Sequence, residues 1–141
     1  MMSFRIAMFS AATLSLLMGC APGDIGTVEG VVTLDGQPLP NATLEFYPDA
    51  GGGFSAGITD DQGHYELHFG RDDMGAVIGE HLIQIRTAEL GGGDYGSSEP
   101  ERVPAKYNNQ SELRRAVEAG HNVLDFDLDS HGELPATPRG Y

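Results

Sequence analysis

Polar and apolar positions alternate along this chain in short runs, and nearly every run stops at a cluster of Gly, Pro or Asp. Val28 to Leu34 is rich in β-branched residues and ends at Asp35-Gly36-Gln37-Pro38-Leu39-Pro40, which reads as a strand and a turn. Ala42 to Tyr47 alternates, with Ala42, Leu44 and Phe46 on one face and Thr43, Glu45 and Tyr47 on the other. A Gly-rich loop then leads to a strand over Phe54 to Thr59. Asp60-Asp61-Gln62-Gly63 reads as a hairpin turn, with Gly63 supplying positive φ and an Asp side chain capping backbone amides. His64 to Phe69 alternates strictly, which turns Tyr65, Leu67 and Phe69 inward. After a loop from Gly70 to Gly79, Glu80 to Ala88 sets Ile83 and Ile85 opposite Gln84 and Arg86, the pattern of a central strand. Glu89 to Glu101 has almost nothing apolar to bury and reads as an exposed acidic loop. Leu113 to Val117 and Val123 to Leu128 complete seven expected strands, although Ser111 to Gly120 also fits one short helix. Short strands at such spacing predict an all-β antiparallel sandwich with no substantial helix.

The N-terminal segment follows a different rule. Met1 to Met18 holds one base, Arg5, and no acid, and from Ile6 onward it is mostly apolar. That run is shorter than the roughly 20 residues a membrane span needs, and it has the order of a signal peptide. It ends in Leu17-Met18-Gly19-Cys20, which resembles the bacterial lipobox, where cleavage precedes a cysteine that carries diacylglycerol. Four segments are therefore expected: a lipoprotein signal peptide at 1–19, a lipidated tether at 20–27, a β-sandwich domain at 28–129 and a flexible tail at 130–141. Ala21 and Pro22 stand where some bacteria place an aspartate to retain lipoproteins at the inner membrane, which favours the outer membrane. The partner so implied is a membrane, reached through lipid on Cys20.

Composition narrows the function classes. Twenty-one acids against eight bases give a net charge of −13, which excludes a phosphate-tracking surface and with it a nucleic-acid partner. A single cysteine excludes an internal disulfide framework and any cysteine-based zinc cluster.

Val31-Val32-Thr33-Leu34-Asp35-Gly36-Gln37-Pro38-Leu39-Pro40-Asn41-Ala42, Thr59-Asp60-Asp61-Gln62-Gly63-His64-Tyr65, Gly79-Glu80-His81 and Val103-Pro104-Ala105-Lys106-Tyr107-Asn108 together resemble bacterial carboxypeptidase regulatory-like domain lipoproteins. The resemblance spans nearly the whole domain after the signal peptide. It implies a transthyretin-like (prealbumin-like) seven-stranded Greek-key sandwich, anchored by lipid and without a catalytic site. Two positions depart from the pattern: His81 stands where an aromatic usually opens the strand, and Arg115 stands where an apolar residue is expected, so a bulge or shallower pairing is anticipated there.

Candidate chemistry is sparse. His64, Glu66 and His68 share one strand face, and imidazole with carboxylate suits zinc. On an extended strand, however, His64 and His68 lie about 13 Å apart, too far for one ion at about 2.1 Å from each, so the trio reads as a solvated face. Asp125, Asp127 and Asp129 repeat on the side opposite Leu124, Phe126 and Leu128. With Asp60 and Asp61 they are the candidate calcium ligands, although no Asp-x-Asp-x-Asp-Gly loop with a distal Glu is present. No serine has a nucleophile-elbow pattern. The transthyretin-like fold also hosts a purine-pathway hydrolase with a C-terminal Tyr-Arg-Gly-Ser signature, which Pro138-Arg139-Gly140-Tyr141 matches only in part. Tyr47, Tyr95 and Tyr107 are candidates for stacking on sugar rings. The expected function is that of a non-enzymatic, lipid-anchored cell-envelope module with a structural or protein-interaction role and no cofactor. The alternatives are a lipoprotein that binds a small ligand, carbohydrate or calcium, and an enzyme using His64, Glu66 or His81.

Overall fold

The computed structural model describes residues 24–88 and 100–136. It is all-β, and the described residues contain no α-helix. The strands are β1 (Ile25–Leu34), β2 (Gln37–Pro38), β3 (Thr43–Pro48), β4 (Ser55–Ile58), β5 (His64–Glu66), β6 (His68–Phe69), β7 (Asp73–Met74), β8 (Ala76–Val77), β9 (Gly79–Arg86), β10 (Arg114–Val117), β11 (His121–Val123) and β12 (Phe126–Leu128), with a 3-10 turn at Ala105–Tyr107. They form two sheets. One is built around β1, which is flanked by β11 and β12 on one side and by β2, β5 and β8 on the other; the second runs β10-β9-β3-β4-β6-β7. Strand β10 replaces the helical alternative for this stretch.

Several expectations are corrected. Strands β11 and β12 run parallel to β1, whereas every other pair is antiparallel. The expected strand His64 to Phe69 is two strands in different sheets. At Leu67 the chain leaves β1 and joins β4, with the Leu67 N–H donating to the Val28 carbonyl and its own carbonyl accepting from Gly75. The expected loop from Gly70 to Gly79 holds β7 and β8. The expected tether runs into β1, since Ile25, Gly26 and Thr27 already pair with β8 and β11. The expected flexible tail is pinned at its start, where Ser130 donates to the Asp35 carboxylate and the Ala105 N–H donates to the Glu133 carbonyl. No bulge occurs at Arg115: β10 pairs with β9 without a break, and the Arg115 guanidinium lies 5.0 Å over the Phe126 ring. The signal peptide and most of the acidic loop lie outside the described residues.

The inward faces follow the alternation. Val28, Val32, Leu44, Phe46, Tyr65, Leu67, Ile83, Ile85, Phe126 and Leu128 are buried in one core shared by both sheets. Phe46 of β3 joins the sheets, with its ring edge-on to Phe126 of β12 at 6.1 Å and tilted to Tyr65 of β5 at 6.5 Å. His81 completes this cluster with its ring 5.9 Å from Phe46, so the imidazole occupies an aromatic position. The turn after β1 is an Asp35-Gly36 hairpin with both residues at positive φ (51° and 79°), the geometry that matches strand twist and favours Asp-Gly.

The pairing of β1 with its parallel partners is interrupted between β11 and β12, and the interruption is satisfied by side chains. A regular parallel ladder would join the Val31 N–H to the Leu124 carbonyl. Here the Val31 N–H donates to Asp125 Oδ1 at 2.8 Å, and the Leu124 carbonyl instead accepts from the Tyr65 hydroxyl. That carbonyl reaches Tyr65 across Gly30, where a β-carbon would stand 2.0 Å from the Leu124 oxygen. Burial pushes the Tyr65 phenol well above its ordinary pKa, keeping it a neutral donor.

Strand β3 also carries an ion pair on the face turned away from the core. Arg86 donates to both Glu45 carboxylate oxygens at 2.7 Å, and Tyr47 donates to Glu45 Oε2 at 2.6 Å. Both charged residues are nevertheless buried, at 7% and 9% exposure. The Arg86 hydrogen bonds hold Glu45 below its ordinary value of 4.5, against the opposing effect of burial.

In urea denaturation, Tyr65→Phe is expected to lose about 1–2 kcal/mol through the orphaned Leu124 carbonyl, and Gly30→Ala about 3 kcal/mol through the backbone collision. Glu45→Ala is expected to cost about 3 kcal/mol by leaving Arg86 uncompensated. Because the folded pKa of Glu45 is depressed, the stability this pair contributes is complete above pH 4.5 and is lost as pH falls through the lower folded value. Denaturation of wild type and Glu45→Gln across that range should show the two curves converging toward acid.

Candidate functional site

The outer face of the β1 sheet gathers charge by register. Odd-numbered residues of β1 point away from the core, so Thr27, Glu29, Val31 and Thr33 line this face. Antiparallel pairing places Glu66 of β5 directly opposite Glu29, with His64 two residues away on the same face. Parallel pairing on the other flank sets His121 of β11 beside Thr27, diagonal to Glu29. The result is a central carboxylate with an acid and two imidazoles around it. Single ligand-capable atoms of Glu29, His64 and Glu66 all lie within 4.8 Å of one another. His64 Nε2 is 3.9 Å from Glu29 Oε2, and His121 Nε2 is 3.6 Å from Glu29 Oε1. The group lies between two open depressions of about 230 and 660 Å³: Glu29 and His121 line the smaller, His64 and His68 the larger, and Glu66 both.

His121 is held in one orientation. Its Nδ1 lies 3.2 Å from Thr27 Oγ1, and that hydroxyl donates its own proton to the Gly120 carbonyl at 3.3 Å. With its proton committed, the hydroxyl is left to accept from Nδ1, which turns Nε2 toward Glu29.

The other sequence candidates are dispersed. His68 belongs to β6 in the second sheet and meets His64 and Glu66 only along the rim of the larger depression. Asp60 Oδ1 accepts from the Gln62 and His64 amides, the capping role read from its turn, and Asp61 is exposed in the same turn. Asp125 is committed to Val31, and Asp127 Oδ1 accepts from Thr33 Oγ1 at 2.8 Å. Asp129 accepts from Lys106 Nζ at 2.6 Å and the Tyr107 hydroxyl at 2.8 Å, and these contacts hold its carboxyl well below the usual range. His81 is buried, with Nδ1 3.0 Å from the Gly79 carbonyl, and burial lowers its pKa, as suits a neutral core imidazole. Tyr47 stacks near Phe54 at 5.2 Å, while Tyr107 is bound to Asp129. Cys20, Tyr95 and the C-terminal Pro138-Arg139-Gly140-Tyr141 lie outside the described residues.

Sequence reasoning missed Glu29, His121 and Glu101. Glu29 had a usable signal as the one charged residue in the β-branched run Val28 to Leu34. His121 lay outside the expected last strand. Glu101, assigned to the acidic loop, instead accepts from the backbone of Thr87, Ala88 and Val103 and from Asn108 Nδ2, tying the segment after β9 to the approach to β10. No family model, curated protein or solved structure matches this chain.

The assignment of Asp125 to backbone capping is directly testable. Asp125→Asn retains an acceptor for the Val31 amide and is expected to melt close to wild type. Asp125→Ala removes it and is expected to lose about 1 kcal/mol in the same thermal unfolding assay.

Proposed function

We propose that this protein is a lipid-anchored, non-enzymatic β-sandwich module of the bacterial cell envelope, with a structural or protein-interaction role. The reading includes a transthyretin-like Greek-key arrangement and kinship with carboxypeptidase regulatory-like domain lipoproteins. The observation that carries it is the distance between anchor and fold. Four residues separate Cys20 of the lipobox-like sequence from Ile25, the first residue of β1. Even fully extended, that stretch spans about 17 Å, so lipid on Cys20 would hold the sandwich against the membrane surface. Acyl chains at about 0.8 kcal/mol per buried CH₂ make a dually or triply acylated cysteine a lasting anchor without a membrane-spanning helix. The described residues contain no helix long and apolar enough to cross a membrane. Both depressions are open, which suits surface contacts better than the enclosure of a reacting substrate.

The test is fractionation of cells producing the full chain beside Cys20→Ser, with mass spectrometry of the N-terminal peptide and of crosslinked partners. Wild type should sediment with membranes, begin at an acylated Cys20 and crosslink to envelope proteins, and Cys20→Ser should lose the lipid and the membrane association together. An unmodified Cys20, or identical fractionation of both forms, overturns the anchor.

A further inference from the structure

We propose that Glu29, His64 and Glu66 form a binding site for a divalent transition-metal ion of the zinc class, with His121 as a positioning residue that holds the Glu29 carboxylate. The first argument is electrostatic. Glu29 and Glu66 face each other directly across β1 and β5, and like charges in that position repel. Among the described residues neither is paired with a lysine or arginine, and the ion-pair partners of Glu29 are the two imidazoles. A cation between the carboxylates converts this repulsion into attraction.

The second argument is geometric. Two ligands bound to one tetrahedral ion at about 2.1 Å stand about 3.4 Å apart. The spacing of 3.9 Å between His64 Nε2 and Glu29 Oε2 is too long for a hydrogen bond but close to that ligand separation, and Glu66 places an oxygen within 4.8 Å of both. Small side-chain rotations close the remainder, since all three residues sit on the solvent face.

The third argument concerns the surroundings. Metal ligands are commonly oriented by polar groups one layer out, and here that group is an imidazole 3.6 Å from the Glu29 carboxylate. The Thr27 hydroxyl fixes the His121 ring so that its Nε2 addresses Glu29 Oε1, the oxygen not facing His64. That leaves Oε2 for the ion. One imidazole and two carboxylates make a mixed nitrogen and oxygen set, which suits zinc better than calcium, whose sites take six to eight oxygens. Three protein ligands leave a fourth position for water or for a donor from a partner.

The experiment is calorimetric titration of Zn²⁺ into the full chain, purified in detergent without a polyhistidine tag and stripped with chelator. One saturable equivalent with micromolar affinity is expected, with Ca²⁺ failing to compete. His64→Ala and Glu29→Gln should each weaken binding at least tenfold, and His121→Ala several-fold, whereas His68→Ala should bind as wild type. Urea midpoints of the metal-free variants, expected to match wild type, separate lost ligands from lost folding. Absence of saturable binding, or wild-type affinity in a folded His64→Ala/Glu29→Gln double variant, overturns the site. Neither result bears on whether Cys20 is lipidated.

Discussion

Strand β1 must satisfy its backbone on both sides at once, and the first sheet is arranged around that requirement. On one flank it meets β8, β5 and β2 in turn, and on the other β11 and β12. No single partner runs its full ten residues, so each junction between partners exposes backbone groups that something else must bond. At the junction of β11 and β12, Asp125 takes the Val31 amide and Tyr65 takes the Leu124 carbonyl. The missing side chain of Gly30 makes room for that exchange. The same tyrosine packs against Phe46 and Phe126, so one residue serves the hydrogen bonding of the first sheet and the joining of both.

Much of this was legible in the residue pattern. Alternation assigned the inward faces of β3 and β9, and Asp-Gly and Asp-Asp-Gln-Gly located two tight turns. The breaks were not legible, because an alternating strand keeps its phase across an interruption. Tyr65, Leu67 and Phe69 read as one face although the chain changes sheets at Leu67, and Leu124 and Phe126 read as continuous although pairing lapses between them. Parallel pairing of the chain's last strands is equally silent in local order, since it depends on contacts nearly a hundred residues away in sequence.

The charged constellations differ in the same way. Glu45 and Arg86 were both placed outward by alternation, yet they are buried and bound to each other through two hydrogen bonds. Their charges are neutralised within the fold. Around Glu29 the opposite holds: His64 and Glu66 were visible as neighbours on one strand, but the residue that unites them comes from β1 by cross-strand register. Asp60, Asp125, Asp127 and Asp129 are each bonded within the fold and serve structural tasks, whereas on the Glu29 face two carboxylates and two imidazoles converge in the open.

The central position of β1 also has a mechanical meaning. In a chain held at Cys20, any pull between the membrane and the body of the protein enters along the axis of β1. Its hydrogen bonds to strands on both flanks run across that axis, so the load would be shared in shear by many bonds and not passed to them one at a time, as in peeling an edge strand. Resistance to such a pull is a matter of unfolding rate and is distinct from equilibrium stability. By that measure β1 is the strand best placed to bear tension.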